Sequence, residues 1–594
     1  MATYAEARVI PDRLADFTRD RRILILSAMA VVIGVMSAFI AYVLIQLIAL
    51  FTNLAFYQRF SFAEATPVGN QLGLWVILVP AIGGLVIGLM ARYGSPKIRG
   101  HGIPEALESI LIGRSKLEPK VAVLKPLSSA ISIGTGGPFG AEGPIIMTGG
   151  AAGSLFAQLF NLSAAERKTL LVAGAAGGMA AVFATPVAAV LLAVELLLFE
   201  WRPRSFIPVA LASTLAAMVR VPLLGSGPIF PTPAHATLPA AMILVAAFLG
   251  LVGGLGAVAA TGLVYAFEDL FHKLPIHWMW WPALGGLLVG VGGYFDPRVL
   301  GVGYDLIRSL IQGQLVGTLV IGLLLIKALV WAIALGSGTS GGVLAPLLII
   351  GAALGAFGAG FFPGQEPGLW AMICMTAFMG GTMRAPLTAM IFAVELTHDY
   401  NTLPALMAAS VVAYAVTVLL MRRSILTEKV ARRGLHLLRE YSVDPFMLVR
   451  VGEIMDGELG MVRSDMSVAE LSTHIAAGDP ALTRHQAQAI VDEAQQLVGI
   501  ITRGDVLRAL SKDPTGQMTV LEAGSAHPQL TYPDELLDNA LACMLQHNVG
   551  RLLVVSRDNP RQVVGYLGRS TILNARKSRI EEELVREPGV LQLP

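Results

Sequence analysis

One carboxylate in this chain stands where carboxylates are costly. Glu142 lies in the apolar, glycine-rich run Gly134-Thr135-Gly136-Gly137-Pro138-Phe139-Gly140-Ala141-Glu142-Gly143-Pro144. Charge in hydrocarbon is expensive, so an ionisable side chain there is a functional candidate. The run Gly336-Ser337-Gly338-Thr339-Ser340-Gly341-Gly342-Val343-Leu344-Ala345-Pro346 repeats part of the pattern. Gly140 and Pro144 match Gly342 and Pro346 at one offset (342 − 140 = 346 − 144 = 202), and Gly149/Gly351 and Gly153/Gly355 keep it. Duplicated apolar segments broken by Gly and Pro point to a binding site at the midplane of a transporter. Proline suits a first helical turn, so Pro144 and Pro346 are expected just inside helix starts. The N–H groups there carry about +0.5 charge and favour an anion. Two such ends, one from each half, would replace a small anion's hydration shell yet let it leave. Glu142 would compete for that place: ionised it blocks, protonated it withdraws. The plainer reading is a carboxylate that only caps a helix; burial and duplication favour the gate.

The elements that must position these residues are membrane helices. The chain has 594 residues, 55% of them hydrophobic and only 14% charged, against roughly 25% charged in soluble proteins. Apolar segments cover 23–50, 72–93, 121–160, 168–199, 206–222, 239–270, 277–295, 315–361, 369–397 and 402–421. Several are too long for one crossing and too broken for one straight helix, so tilted and half-spanning helices are expected. A second duplication, Pro186-Val187-Ala188-Ala189-Val190-Leu191-Leu192-Ala193-Val194-Glu195-Leu196 against Pro386-Leu387-Thr388-Ala389-Met390-Ile391-Phe392-Ala393-Val394-Glu395-Leu396, has offset 200 (386 − 186). Whether the halves are parallel or inverted is left open by these residues. The apolar repeats read as nearly free of Lys and Arg, with Arg384 the exception.

The expected organisation is a polar, Arg-rich segment at 1–22 and a membrane domain at 23–421, with repeats near 23–222 and 239–421. A linker at 422–448, soluble α/β units at 449–514 and 515–578, and a tail at 579–594 follow. Basic residues before Ile23 and at Arg422, Arg423, Lys429, Arg432, Arg433 and Arg439 put both termini in the cytoplasm by the positive-inside rule. The net charge of +2 points to no nucleic-acid partner, and Cys374 and Cys543 form neither a disulfide framework nor a metal motif.

These motifs resemble the CLC chloride channels and transporters. Gly100-His101-Gly102-Ile103-Pro104-Glu105 looks like that family's GSGIPE, Gly140-Ala141-Glu142-Gly143-Pro144 like GREGP, and Gly342-Val343-Leu344-Ala345-Pro346 like GxFxP. Ser424-Ile425-Leu426-Thr427-Glu428-Lys429 resembles the segment carrying the anion-coordinating tyrosine. The resemblance implies an all-α polytopic fold with inverted repeats and broken, tilted helices, a homodimer with one pore per subunit, and Glu142 as the gating glutamate. It places anion contacts at His101, Gly102, Ile103, Gly140, Gly143, Val343, Leu344, Ala345 and Leu426. The departures are His101 for the serine, Ala141 for the arginine, Leu344 for the phenylalanine and Leu426 for the tyrosine. Two hydroxyl ligands are therefore missing, and coordination falls on backbone N–H groups near Leu344 and Ala345, with His101 as a further donor. His101 reads equally as a loop histidine capping the next helix. Proton-coupled members carry a second glutamate where this chain has Leu196. Glu195, a stand-in on the proton path, has a repeat mate in Glu395, which argues for a shared structural role instead.

Other motifs are rejected. Gly336–Gly341 fits a dinucleotide fingerprint but lacks a βαβ unit, and Gly338–Gly342 fits a serine-hydrolase elbow but lacks the strand–turn–helix setting. No enzyme is expected, and no metal. The tail units resemble paired CBS domains. Gly499-Ile500-Ile501-Thr502-Arg503-Gly504-Asp505 follows their pattern, so the resemblance implies an adenine-nucleotide site at Thr502 and Asp505; Thr571 stands where the second unit's Asp should be. A packing or dimerisation module is the alternative. The expected function is chloride transport across a membrane, a bacterial inner membrane, without a required cofactor. Leu196 and Leu426 favour passive or weakly coupled conduction, and retained Glu142 keeps chloride/proton antiport as the alternative. A fluoride-selective transporter fits the motifs poorly, and a membrane-anchored nucleotide sensor ranks last, since an anchor needs no midplane glutamate.

Overall fold

Helix after helix begins at a proline and ends at a glycine or a left-handed residue, so the chain turns inside the membrane domain as well as at its faces. The computed structural model describes residues 22–111, 113–233, 235–361, 366–433 and 449–584. The expected surface segment before Arg22, residues 434–448 of the linker and residues 585–594 of the tail lie outside the described residues. The described residues up to 433 form one compact unit and 449–584 another.

In the first unit, one half comprises α1 (Arg22–Tyr57), α2 (Leu78–Tyr93), α3 (Ile103–Leu111), α4 (Pro119–Gly134), α5 (Glu142–Gln158), α6 (Ala164–Phe183), α7 (Pro186–Leu192) and α8 (Pro203–Leu224). The other comprises α9 (Ala240–His272), α10 (Trp281–Phe295), α11 (Tyr304–Ile311), α12 (Leu319–Gly336), α13 (Leu344–Gly358), α14 (Pro367–Met383), α15 (Pro386–Thr397) and α16 (Leu403–Leu420). A last helix, α17 (Ile425–Arg432), lies in the stretch expected to be linker. The halves pack alike: α5 on α6 as α13 on α14, and α1 on α8 as α9 on α16. Helix α1, with 36 residues, is about 54 Å long at 1.5 Å per residue, so even when tilted it extends beyond a hydrocarbon layer of about 30 Å.

The halves are joined by reciprocal contacts between repeat mates. Gly140 N–H donates to the Gly342 carbonyl at 3.2 Å, and Gly342 N–H to the Gly140 carbonyl at 2.9 Å, antiparallel. Equivalent residues that exchange equivalent bonds place a two-fold axis between them. Glu195 and Glu395 repeat the relation. Glu395 accepts from Val187 and Ala188 N–H (3.0 and 2.8 Å) at the start of α7, and Glu195 from Leu387 and Thr388 N–H (3.3 and 2.9 Å) at the start of α15. Each half thus caps a helix of the other.

The second unit contains α18 (Val451–Ile454), β1 (Met461–Arg463), α19 (Val468–Ala476), α20 (Pro480–Thr483), β2 (Ala487–Val491), β3 (Leu497–Thr502), α21 (Arg503–Lys512), α22 (Val520–Ala523), β4 (Leu530–Thr531), α23 (Leu537–Gln546), β5 (Arg551–Val555), β6 (Val563–Gly568) and α24 (Arg569–Leu584). Two sheets share one topology, β1-β2-β3 and β4-β5-β6, each with a parallel then an antiparallel pairing. The lead-in segments are exchanged between the two cores. Val449 and Val451 pack with Leu537 and Leu552 of the second, and Val520 with Val462 and Ile501 of the first.

Candidate anion site

Helices α3, α5 and α13 all begin from one knot of non-helical backbone. Gly100 N–H donates to the Thr339 carbonyl at 3.1 Å and Gly341 N–H to the Gly100 carbonyl at 3.4 Å, beside the Gly140–Gly342 pair. The knot closes because its glycines have no side chains: a Cβ on Gly143 would overlap the His101 carbonyl oxygen. Pro144 and Pro346 stand in the first turns of α5 and α13, as expected.

Glu142 is 1% exposed and reaches across the two-fold axis. Its Oε1 accepts the Ala345 N–H at 2.8 Å, so the carboxyl group occupies the N-terminus of α13. A Cβ on Gly342 would stand 2.8 Å from Glu142 Cδ, so glycine there makes room for the carboxyl. Oε2 is buried and has no hydrogen-bond partner among the described residues. A buried acceptor left unmet costs about 1–3 kcal/mol. The arrangement therefore holds Glu142 by one oxygen and leaves the other unsatisfied, which suits a side chain that comes and goes.

The knot gathers the other expected anion contacts, with two qualifications. His101, Ile103, Val343 and Leu344 are each at most 1% exposed, and Leu426 is fully buried at the start of α17, which packs on α3. His101 Nδ1 is buried with no partner among the described residues. The Gly102 N–H, however, donates to Glu105 Oε2 at 3.0 Å, and the Gly140 N–H is committed to Gly342. These glycines shape the site without donating to an anion. Glu105 in turn accepts Arg433 at 2.7 Å, which ties α3 to the end of α17. The Tyr265 hydroxyl donates to the Ile425 carbonyl at 2.5 Å, so it is committed to the start of α17.

The expectation that Arg384 is the exceptional cation of the apolar repeats is corrected. Lys125 and Lys327 are both fully buried, and they keep the 202 offset (327 − 125). Lys125 Nζ donates to the Ile98 and Gly100 carbonyls (2.9 and 2.7 Å) and to Ser340 Oγ (3.1 Å). A single lysine at a segment edge reads as a helix end; its repeated spacing was the available signal. Ser340, the serine of the rejected hydrolase motif, is bound by Lys125, Ser128 and Ser129 and serves the knot. Arg384 donates to the Thr417 carbonyl at 2.9 Å and closes the end of α16.

Glu195, besides its N–H partners, accepts the Thr388 hydroxyl at 2.5 Å, and Leu196 is fully buried. In the soluble unit, Thr502 and Asp505 sit at the start of α21 and bond each other: Thr502 N–H and hydroxyl donate to Asp505 Oδ2 (2.9 and 2.6 Å), and Arg508 pairs with Asp505.

The family model described as voltage gated chloride channel matches residues 83–418, more than half of the chain. This chain belongs to the CLC family. Within the family it is 30% identical over 366 residues to the voltage-gated ClC-type chloride channel ClcB of Salmonella typhimurium, covering 60% of this chain and 87% of that one. ClcB of Escherichia coli is 30% identical over 368 residues, with the same coverage of 60% and 87%. Among solved structures, a slow cyanobacterial Cl−/H+ antiporter aligns with TM-score 0.61 and 24% identity over 70% of this chain and 98% of its own. A eukaryotic CLC transporter aligns with TM-score 0.61 and 20% identity over 92% and 98%. The fold is therefore the family's, with inverted repeats, and the chain is an integral membrane protein. CBS domain models match residues 451–512 and 525–578.

Proposed function

We propose that this chain moves chloride across a membrane through the knot of helix starts, with Glu142 as the gate. One observation carries the reading: the Glu142 carboxylate lies on the Ala345 N–H of α13, the place an anion would take. Amides at a helix start favour a small anion without holding it as tightly as a full charge would. When Glu142 is protonated, its claim on those amides weakens and a chloride replaces it. Support for chloride in particular comes from the named activity of the ClcB relatives.

Passive or weakly coupled conduction is favoured over chloride/proton antiport. Glu195 is engaged as a cap on α15, and Leu196 carries no titratable group. Antiport is the second reading, supported by the buried, partly unsatisfied carboxyl of Glu142. Chloride and proton fluxes measured together in proteoliposomes test both. Chloride flux with little proton movement is expected. Uphill proton movement driven by a chloride gradient would select antiport, and no chloride flux would overturn the transport reading.

The proposed setting is a bacterial inner membrane, with the face carrying Arg22, Arg423, Lys429, Arg432 and Arg433 toward the cytoplasm, and a homodimer. The homodimer is proposed from membership of the family, since apolar side chains are exposed on α9 and α10 as well as on α7, α8, α15 and α16. The CBS pair is proposed to take an adenine nucleotide at Thr502 and Asp505, whose mutual hydrogen bonds the ligand would have to replace.

A further inference from the structure

The loop that leads into α3 has a counterpart leading into α11. Ile98, Gly100, Gly102 and Ile103 match Val299, Gly301, Gly303 and Tyr304 at one offset (299 − 98 = 304 − 103 = 201). The copies fold alike: φ is +79° at Gly100 and +67° at Gly301, and +89° at Gly102 and +79° at Gly303. Each is held from behind by a buried lysine. Lys327 Nζ donates to the Val299 and Gly301 carbonyls (2.8 and 3.4 Å), as Lys125 does to Ile98 and Gly100. The first copy places His101 in the candidate anion site. The second lines a cavity of about 930 Å³ on the face where α1 ends, and Ala141, the neighbour of the gate, lines it too.

Two buried donors in that cavity have unmet capacity. The Tyr304 ring packs edge-on to Phe183 and Phe230 (centroids 6.2 and 5.8 Å apart), and its hydroxyl has no partner among the described residues. Arg220 is 7% exposed. Its Nη1 donates to the Gly225 carbonyl at 2.6 Å, and its Nε has no partner among the described residues. The other arginines of the cavity are neutralised, Arg298 by Asp296 at 2.8 Å and Arg308 by Asp305 at 3.7 Å, and Glu64 lies on the exposed rim. A buried guanidinium without a counter-ion and a buried hydroxyl without an acceptor, as both are among the described residues, are costly. One small anion accepting from both would relieve both.

We infer that this cavity holds a second site for a small monovalent anion of the halide class, bound by Arg220 and the Tyr304 hydroxyl. The inference rests on the anion-transport reading and adds a station before the gate. A site there raises the local anion concentration beside Glu142 and supplies the multi-site path that conduction needs. Crystals of the full chain grown in bromide test it by anomalous diffraction, with Arg220→Gln and Tyr304→Phe alongside. A bromide peak in the cavity of the wild type, weakened or lost in the variants, is expected. Half-saturating chloride on the cavity face, measured in planar bilayers, rises roughly tenfold in Arg220→Gln and is unchanged on the opposite face. Should Arg220→Gln fail to fold, Tyr304→Phe, which removes one hydroxyl, carries the test. A wild type that transports chloride but shows no cavity bromide overturns this inference alone. So does a peak that persists in both variants, an adventitious ion only. A wild type that transports no anion overturns the underlying reading instead.

Discussion

The proposed gating gives Glu142 two positions, and the surroundings of the one seen here satisfy the carboxyl only in part. In the one seen here it takes a single amide bond and leaves Oε2 without a partner among the described residues. Withdrawal would give up that bond and hand the amide to an anion. In the proposed mechanism His101 enters the same balance, because its Nδ1, without a partner among the described residues, is a buried ring atom in place of the family's serine. An N–H there would complete an anion's shell where the tyrosine is missing at Leu426. His101→Ala is therefore expected to weaken chloride binding by roughly tenfold or somewhat less, the worth of one hydrogen bond to an ion. Chloride titration of the purified protein checks it, and unchanged affinity would return His101 to the role of a loop residue. The burial of Glu142 among helix starts was legible in the sequence, since a glutamate among duplicated glycines has few structural excuses. Lys125 and Lys327 were not, because one lysine in an apolar run looks like the edge of a span until its partners are seen.

At the scale of elements, proline and glycine positions forecast where α5 and α13 begin, since those residues act through local backbone geometry; the breaks before α7 and α15 were not foreseen. Those positions could not show what each start faces. That Glu195 caps α15 while Glu395 caps α7 depends on the two-fold relation, which no single segment encodes. A cap of this kind contributes about 0.5–2 kcal/mol. Glu195→Ala is expected to lower the unfolding temperature while leaving any proton coupling as it is in the wild type. Coupling lost with stability intact would make Glu195 a relay and not a cap. Gly143→Ala tests the knot itself. The added methyl meets the His101 carbonyl, so backbone must shift, and we expect loss of chloride flux with a reduced yield of folded protein. Full flux from that variant would contradict the close approach. In the soluble unit, β3, β5 and β6 were readable as β-branched runs. The strands β2, with Gln488 inside it, and β4, of two residues, were too short or too mixed to stand out.

For the whole molecule, the membrane and CBS units are built on different terms. The first is held by apolar packing and a buried polar knot, and the second by two small sheets whose helix starts and turns depend on carboxylates. Hydrogen bonds from the Thr515 hydroxyl hold Asp513 below the usual carboxylate range, and the Thr519 N–H and hydroxyl do the same for Glu522. A carboxyl depressed in the folded state stabilises above its unfolded pKa, and that contribution is lost as pH falls through the folded value. The turn and short helix at 513–523 are therefore expected to exchange amide hydrogens faster at about pH 3 than at about pH 7, once intrinsic rates are corrected. Equal protection at both would remove these carboxylates from the account. The division into a membrane part and a soluble tail followed from composition, and the pairing within the tail from its two similar α/β units. The exchange of lead-in segments between the two cores did not, because sequence similarity between the units says nothing about which core a flanking valine joins.

Competition between a carboxylate and a halide for the amides of α13 is the central claim, and chloride-binding isotherms of the purified full chain at several pH values measure it directly. In the wild type, affinity should rise as the solution is acidified, because protonated Glu142 no longer contends for the Ala345 N–H. In Glu142→Gln, affinity should be high and indifferent to pH. A Glu142→Gln protein whose chloride affinity follows pH just as the wild type does would contradict the account.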